Sequence, residues 1–511
     1  MGTDDGLIQV TADNGGSWTK YEKFPGVPEK TYVSRLAGSH HAAGTVYAAF
    51  ENHKNEDFKP YLLKSTDMGK TWISIAGDLP ESPVLAFAED PVNPNLLFVG
   101  NETGVFFTLD GGKKWVRLKG GLPTIAVRDI VIQQRESDLV IATFGRGFYV
   151  LDNITPLRQL KPEVLQQEQA VFPVKDALLY AEAHPLGEPP KGFQGDAFYA
   201  AENPPFGAVV TYYLKEKLKT KKDVRHEAEK QAEKKKETLR YPSHDELRAE
   251  AEEAKPEVYL MIYDESGAPV RRLAGDSGEG FHRTAWDLRY PTVSETEEET
   301  PGAGFPPAAA KGPLVLPGRY SVRIFKKVDG AVTEFGSSQM FSVVADGNAG
   351  IAEADRKARE EFHRKVAGLY RAVSGSINAA SDLQSRLKAA HKALEDTPAA
   401  EALLAQADSI QKRSNEILRV LQGDRTLAAR NENVPTSIND RVTYIMEGSR
   451  FSLAKPTQTQ QNAYSIAAAE FNEQLAKLHN LITVDFDKLQ KDMETAGAPW
   501  TPGRVPEWQE K

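Results

Sequence analysis

The first 156 residues alternate between short apolar runs and turn-forming residues, which is typical of β-strands joined by tight connections. Val84–Glu89, Asn95–Gly100 and Val105–Leu109 are predicted as three successive strands, and Trp115–Leu118 as a fourth. A turn at Asn101–Gly104 separates the second strand from the third. The same order of strands and turns recurs in this region, so the pattern predicts a repeat of four-stranded units.

The repeat does not begin and end on whole units. An earlier unit starts near Tyr32 and carries an insertion. The last unit turns at Gly145–Gly147 and ends at Phe148–Asp152 without the Asp-containing turn described below. Gly2–Gly6 matches Gly100–Gly104, so we expect the chain to open in the middle of a unit. Repeats need neighbours on both sides to bury their faces. We therefore expect a fragment of a longer protein, and the alternative is an open β-edge, which favours aggregation.

Beyond residue 156 the pattern changes. Region 157–202 is predicted as a linker with short strands, and the apolar alternation in 203–346 predicts a small β-sandwich. The mixed-sign charges of an insert at 215–257 favour a solvated helical hairpin, the alternative being a basic docking surface. The acidic, Pro- and Ala-rich stretch Ser294–Lys311 is predicted as a flexible loop.

Apolar positions in 350–511 recur with the helical period of about 3.6 residues. They predict a helical bundle, whose apolar faces serve core packing or, as the alternative, recruit a partner. We expect the Pro- and Trp-containing tail Ala498–Trp508 to pack over a neighbouring element. The predicted helices are Arg356–Glu395, Ala399–Leu421, Ile438–Gly448 and Thr457–Thr495.

Composition and motif searches exclude several kinds of site. The chain has 511 residues, a net charge of −9 and no cysteine, so disulfides and thiolate sites are excluded. The acidic balance offers no general basis for binding nucleic acid or anionic lipid. No apolar run could span a membrane, no signal peptide is visible, and nucleotide, phosphate-loop and zinc motifs are not found. We expect neither a cofactor nor a metal.

The most specific motif is a turn, [S/T]-x-D-x-G-x-x-W, that occurs three times where a strand should end. Its Asp can accept hydrogen bonds from N–H groups of the turn, its Gly supplies positive φ, and its Trp can bury a large apolar surface. Because the turn uses the carboxylate, a structural role is favoured over a catalytic one. The three copies contain Asp13 and Trp18, Asp67 and Trp72, and Asp110 and Trp115.

This turn is identified as the Asp-box, or BNR repeat, of sialidases, sortilin-like proteins and some xyloglucanases. Together with the run Thr143–Asn153 it makes the chain resemble the C-terminal part of large exported bacterial proteins of the sortilin-like, glycosyl-hydrolase-like β-propeller family. The resemblance implies partial propeller blades over 1–156 and a secreted or periplasmic location. It also implies that the N-terminal remainder of the propeller is supplied by the same protein or an associated chain.

Two further segments support the expected order of domains. Phe281–Arg289 and Pro317–Tyr320 resemble the Ig-like module of bacterial cell-surface proteins, which implies a split Ig-like sandwich over 203–346. The fold class is therefore expected to be mainly β plus α, with partial Asp-box propeller blades, an Ig-like sandwich and a C-terminal helical bundle.

In sialidases the face opposite the Asp-boxes binds the ligand, and the resemblance implies the same face here. Glycoside hydrolysis needs two carboxylates about 5–10 Å apart, which Asp4, Asp5 and Glu102 could offer. The arginine triad and tyrosine nucleophile of sialidases are not found. The hypothesis is a protein that binds a peptide or glycan without catalysis in this segment. The alternative is a polysaccharide-active glycoside hydrolase whose catalytic residues lie partly in missing N-terminal blades. The residues expected on that face are Asp4, Asp5, Asn101, Glu102 and Arg146.

Overall fold

A computed structural model shows β-sheets up to Ala345 and long helices beyond it. The predicted loop Ser294–Lys311, residues 183–200 of the predicted linker and Trp508 of the predicted tail lie outside the described residues. The structure describes residues 1–182, 201–291, 312–347, 350–395, 397–398, 400–448 and 452–506.

The N-terminal part forms two four-stranded antiparallel sheets, preceded by a two-stranded hairpin and followed by a three-stranded sheet. In each of them every strand pairs with the strand next to it in sequence, so short turns suffice to connect them. The strands are β1 (Ile8–Val10), β2 (Thr19–Tyr21), β3 (Tyr32–Gly38), β4 (Val46–Asn52), β5 (Asp57–Ser65), β6 (Ile73–Ser74), β7 (Ala86–Glu89), β8 (Leu97–Asn101), β9 (Gly104–Thr108), β10 (Val116–Arg117), β11 (Val127–Gln133), β12 (Asp138–Thr143) and β13 (Phe148–Leu151).

These sheets pack face to face with a separate apolar core in each gap. The first strands of the three larger sheets, β3, β7 and β11, are neighbours. Between the two four-stranded sheets, the rings of Tyr47 and Phe87 lie 4.6 Å apart. Every residue of β8 and β9 is buried, because a sheet covers each of their faces. The edge strand β13 instead alternates between exposed and half-buried residues.

Two short helices follow β13, α1 (Thr155–Gln159) and α2 (Pro162–Gln166). The sequence predicted only short strands in this linker, so the helices are a difference from the prediction. Each helix carries a proline in its first two positions, where the missing N–H is not needed by the helix.

Two sheets, one of three strands and one of five, enclose a common apolar core in the second β-region. Trp286 has no exposed surface there, and its Nε1 donates to the carbonyl oxygen of Arg289 at 2.9 Å. The strands are β14 (Gln169–Val171), β15 (Ala177–Leu179), β16 (Ala208–Leu214), β17 (Glu257–Asp264), β18 (Pro269–Gly275), β19 (Gly280–Trp286), β20 (Gly318–Val328) and β21 (Ala331–Ala345).

The three-stranded sheet has the order β14–β16–β19 and the other has the order β15–β21–β20–β17–β18. The strand predicted at Gln339–Val344 is much longer in the structure, where β21 begins at Ala331. Apolar alternation fails around Gly336, whose φ of 71° accompanies a register shift against β20. The strand continues through this irregularity, which the sequence pattern does not reveal.

The charged insert contains two exposed helices, α3 (Lys221–Lys235) and α4 (His244–Glu252). Both begin with a capping box, in which the N-cap hydroxyl and an acidic side chain satisfy free N–H groups. Arg225 joins them through two hydrogen bonds to the carboxylate of Glu250, at 2.6 and 2.9 Å.

The remaining helices, apart from the short Arg425–Ala428, pack around one apolar core. The single helix predicted over Thr457–Thr495 is interrupted by a π-helical segment, Leu481–Phe486. Among the described residues, no helix has the length and apolar character needed to cross a membrane. The helices are α5 (Glu353–Glu395), α6 (Glu401–Gln422), α7 (Arg425–Ala428), α8 (Ile438–Gly448), α9 (Gln458–Asn480) and α10 (Asp487–Thr495).

Candidate functional site

Asp13, Asp67 and Asp110 belong to the three repeated turns, for which the label Asp-box is kept below. They lie in separate hairpins, and each carboxylate accepts hydrogen bonds from its own turn. Asp67 accepts hydrogen bonds from the Thr71 backbone N–H at 2.9 Å and the Thr71 hydroxyl at 2.6 Å. Asp13 makes the equivalent bonds with Ser17, at 2.8 and 2.7 Å. These bonds, led by those from the Thr71 and Ser17 hydroxyls, lower the pKa of Asp67 and Asp13 from 3.8 to about 2. Both side chains are therefore ionised turn acceptors at neutral pH.

Asp110 has the same role in the third turn. Burial acts to raise its pKa, but hydrogen bonds from the backbone of Lys114 and the Thr108 hydroxyl outweigh it, so the pKa is lowered. The N–H groups of Lys113 and Lys114 both donate to Oδ1 at 3.0 Å.

The three Asp-box tryptophans differ in burial. Trp72 and Trp115 are each 7% exposed, whereas Trp18 is 47% exposed. Trp115 packs against the preceding sheet and donates from Nε1 to the Ile75 carbonyl oxygen at 3.1 Å. Trp72 packs in the same way against the β1–β2 hairpin. Trp18 belongs to that first hairpin and has no preceding sheet to cover it among the described residues.

The residues that were expected on the binding face lie in the turns before β1, β9 and β13. These turns are at the end of the sheets opposite the Asp-box turns. Asn101 is 1% exposed, and its Oδ1 accepts from the N–H groups of Thr103 at 2.8 Å and Gly104 at 3.1 Å. It therefore shapes the turn, while the neighbouring Glu102 points its side chain to solvent. Asp4 and Asp5 are exposed in the turn before β1, where Asp5 accepts from the Thr3 hydroxyl. Arg146 is exposed in the turn between β12 and β13.

Exposed aromatic side chains accompany these polar residues at the same end, and the sequence reasoning missed them. Tyr32 at the start of β3 is 46% exposed, and Phe58 at the start of β5 is 48% exposed. Phe144 and Phe148 flank the turn that holds Arg146 and are 68% and 77% exposed. The signal for the last two was available, because both belong to the Thr143–Asn153 run. Exposed aromatics beside polar groups are typical of ligand-binding surfaces.

The end of the sheets that carries the Asp-box turns, called the Asp-box end, is attached to the rest of the chain. Arg158 of α1 reaches Asp90, directly after β7, with Nε 2.9 Å from Oδ2. Lys175 pairs with Glu136 in the β11–β12 turn. Arg283 of β19 donates to the carbonyl oxygens of Asp152 at 2.8 Å and Asn153 at 2.9 Å. The linker and the second β-region therefore contact the Asp-box end, and the aromatic-bearing turns lie at the other.

The chemistry of the opposite end suits binding. Asp4, Asp5, Glu102 and Arg146 supply charges there, and the exposed rings supply apolar faces. Burial, and next the charge of Asp138, raises the pKa of Asp152, but this carboxyl group lies at the Asp-box end. In the described ranges, no group of His, Cys, Asp and Glu has a metal-binding arrangement.

Comparisons with known proteins give weak structural likenesses. No protein-family model matches the chain, and no curated protein matches it in sequence. A GH74 enzyme from Niastella koreensis is 14% identical with a TM-score of 0.24, over 65% of this chain and 42% of that chain. YCF48 bound to D1 peptide is 14% identical with a TM-score of 0.22, over 34% of this chain and 52% of that chain.

The extracellular domain of BT4673 from B. thetaiotaomicron is 11% identical with a TM-score of 0.19, over 68% of this chain and 36% of that chain. These are β-propeller proteins. The present chain spans less than half of the Niastella enzyme and about half of YCF48. TM-scores this low do not establish a shared fold.

Proposed function

We propose that this chain is part of an exported, sortilin-like β-propeller protein that binds a peptide or a glycan and performs no catalysis in this segment. The binding surface is the end of the sheets opposite the Asp-boxes. One observation carries the proposal: exposed Tyr32, Phe58, Phe144 and Phe148 share that end, while the polar attachments of the second β-region lie at the other.

The neighbouring first strands β3, β7 and β11 support blades arranged around a common axis. In this arrangement residues 1–156 are propeller blades, 157–202 a linker, 203–346 an Ig-like sandwich and 350–511 a helical bundle. The sandwich and bundle act as spacer or assembly parts. The protein is secreted or periplasmic, where a peptide or glycan ligand is available.

Exposed apolar residues of the last sheet, on its edge strand β13 and on its inner strand β11, support further blades from the same protein or an associated chain. The edge strand β13 exposes Phe148 and Val150, with Val150 at 53% exposure. In the two four-stranded sheets, the strands that correspond to β13 are β5 and β9, and each pairs with a fourth strand, β6 or β10. On the inner strand β11, Val131 is 53% exposed.

Direct binding tests the proposal. The purified chain is screened by calorimetry against cello-, xylo- and chito-oligosaccharides and against a random peptide library. Phe144→Ala is expected to weaken a hit about fivefold, since an aromatic contact contributes about 1 kcal/mol. Tyr444→Ala is the matched control, because Tyr444 is 61% exposed on the distant helix α8. The proposed surface is wrong if no oligosaccharide and no peptide binds, or if Phe144→Ala and Tyr444→Ala bind the ligand with equal affinity.

The exposed carboxylates Asp4, Asp5 and Glu102 at this end support one alternative, a glycoside hydrolase completed by N-terminal blades. Reducing-sugar release from a polysaccharide by the longer protein, abolished in Glu102→Gln, favours this alternative. Ligand binding with no release by the longer protein favours binding alone.

A further inference from the structure

The start of β11 carries a guanidinium at the end of the sheets opposite the Asp-boxes. Arg128 is exposed, and its guanidinium carbon lies 5.3 Å from the centroid of the Phe144 ring. The pairing of β11 with β12 shifts register between Val127 and Asp129, so Arg128 has no partner on β12. The Phe144 N–H also donates to the Ala126 carbonyl oxygen at 2.9 Å. The cation–π contact therefore places Arg128 beside the turn that joins β12 and β13.

That turn presents a second guanidinium between exposed rings. The Thr143 N–H and hydroxyl both donate to the Gly147 carbonyl oxygen, at 3.1 and 2.7 Å, and these bonds close the turn. Arg146 is exposed within it. The flanking residues Phe144 and Phe148 are 68% and 77% exposed. The turn therefore brings charge and aromatic surface together on the last sheet.

Neither guanidinium is neutralised by a carboxylate. Arg128 and Arg146 take part in none of the ion pairs formed by the described residues. The acid next to Arg128, Asp129, is paired with Arg35 of β3 at 2.8 Å. An exposed guanidinium is well solvated without a partner, and its planar fork of N–H donors stays available to a ligand.

A third guanidinium extends this basic surface towards the preceding sheet. Arg117 of β10 donates from Nη2 to the Thr103 carbonyl oxygen at 2.8 Å and to the Thr124 hydroxyl at 3.0 Å. Thr103 follows Glu102, the acidic residue of the turn before β9, and Thr124 lies in the connection to β11. Arg117 therefore stands between Glu102 and the last sheet, and its charge offsets the repulsion of an anion by Glu102.

Equivalent positions in the preceding sheets carry other chemistry. The pairing of β3 with β4 has a similar register shift, which leaves Ser34 unpaired, and its hydroxyl donates to the Val84 carbonyl oxygen at 2.9 Å. The turns before β1 and β9 carry Asp4, Asp5 and Glu102 where the last turn carries an arginine. Two arginines with two exposed rings therefore distinguish the last sheet, in a chain whose net charge is −9.

We propose that the surface formed by Arg128, Phe144, Arg146 and Phe148 binds an acidic polysaccharide whose sugars carry carboxylates. The inference rests on the proposed function, because it names the ligand class for the same end of the sheets. A guanidinium fork matches the two oxygens of a carboxylate. Phe148, the more exposed ring, offers apolar surface to the C–H groups of a sugar, while Phe144 positions Arg128.

A polyuronate fits this arrangement better than a peptide or a single small anion. Every sugar of a polyuronate carries a carboxylate, so Arg128 and Arg146 can bind different sugars and need not converge on one anion. The two rings lie open to solvent, whereas the aromatic anchors of peptide and protein interfaces are typically enclosed in well-packed pockets. The acidic turns that hold Asp4 and Asp5 do not favour such a ligand, so we expect it to bind along the last sheet.

Isothermal titration calorimetry of the whole chain at constant ionic strength tests the ligand class. The probes are hexagalacturonate and hexamannuronate, each beside its own methyl ester, which keeps the sugar and removes the charge. One of the acid oligomers is expected to bind about tenfold or more tightly than its ester, because hydrogen bonds between ionised partners are about twice as strong as neutral ones. Hexaglutamate has as many carboxylates but no sugar ring and is expected to bind more weakly than that oligomer.

Variants locate the site. Arg128→Met and Arg146→Met are each expected to weaken binding of the acid oligomer about tenfold, which corresponds to about 1.4 kcal/mol. Arg135→Met is the matched control, because Arg135 is 81% exposed in the β11–β12 turn at the other end of the same sheet. It is expected to keep the original affinity. Circular dichroism verifies that each variant is folded, and if Arg128→Met does not fold, Arg146→Met decides.

The assignment is wrong if the esters bind as tightly as the acids, if hexaglutamate equals the acid oligomers, or if all three arginine variants bind alike. Binding of a neutral oligosaccharide or an uncharged peptide, with no binding of either acid oligomer, rejects the assignment and leaves the proposed function intact. If no oligosaccharide and no peptide binds, the proposed function fails as well.

Discussion

Arg158 of α1 lies against Asp90, whose side chain has no exposed surface. The Nε of Arg158 donates to Oδ1 at 3.0 Å and Oδ2 at 2.9 Å. Its Nη2 lies 2.9 Å from Oδ2 without the alignment of a hydrogen bond. The same guanidinium donates from Nη1 to the Ser137 hydroxyl at 3.0 Å. One side chain therefore connects the linker to two of the N-terminal sheets.

Arg158→Ala is expected to lower the free energy of unfolding by about 3–5 kcal/mol, because it leaves Asp90 buried without its counter-charge. Urea denaturation measures the loss. Arg135→Ala is the control, since Arg135 is 81% exposed and its pair with Glu136 should contribute less than about 1 kcal/mol. Equal losses in the two variants would show that the buried pair has no special role.

The tryptophans allow a second comparison. Trp115→Ala leaves a cavity in the core between two sheets and is expected to lower the free energy of unfolding by about 3–5 kcal/mol. Trp18→Ala removes a side chain that is 47% exposed and should cost clearly less. Chemical denaturation of both variants measures the difference. A Trp18→Ala loss as large as that of Trp115→Ala would contradict the packing described for the hairpin.

Asp67 should make stability depend on acid pH. Its pKa is about 2 in the folded chain against 3.8 for the free group, so folding favours the ionised form. This contribution is present above the unfolded pKa and is lost as the pH falls from about 4 towards 2. The melting temperature of Asp67→Ala should therefore lie below that of the original chain near neutral pH, and the gap should narrow through this window.

Asp4→Ala is the control for this acid titration, since Asp4 is an exposed aspartate outside the Asp-box turns. It should melt like the original chain near neutral pH. A gap in Asp67→Ala that stays constant down to about pH 2 would argue against the ionised carboxylate as the source of the stabilisation.

The edge strand β13 should promote self-association of the isolated chain. An unpaired strand with exposed apolar side chains is a template for another strand, and a lysine at such an edge opposes pairing. Val150→Lys is therefore expected to lower the concentration-dependent mass measured by light scattering. Val484→Lys changes a similarly exposed valine, 54% against 53%, in the helical region and should leave the mass unchanged. A concentration-independent mass for the original chain would refute this expectation.

Local patterns in the sequence located many elements closely. The predicted strand Val105–Leu109 corresponds to β9, Gly104–Thr108, and the predicted helix Ile438–Gly448 has the bounds of α8. Both carry a clear period and end at turn or capping residues, so local information is sufficient. The strand β21 was predicted too short, because Gly336 and the two serines after it break the alternation.

Properties that depend on neighbouring elements could not be predicted in this way. The Asp-box motif is the same in all three copies, yet the burial of its tryptophan depends on whether a sheet precedes it. Asn101 was expected on a binding face, but its side chain is needed to close the turn. The pairing of Arg158 with Asp90 joins residues far apart in sequence, and no periodicity marks it.

The attachments of Arg158, Lys175 and Arg283 at one end determine the direction from which the sheets can be approached. These contacts attach the linker and the second β-region at the end of the sheets opposite Phe58 and Phe144. If the proposed binding surface takes a polymer, the polymer would approach these rings from the side away from the attachments and would contact them through an internal stretch.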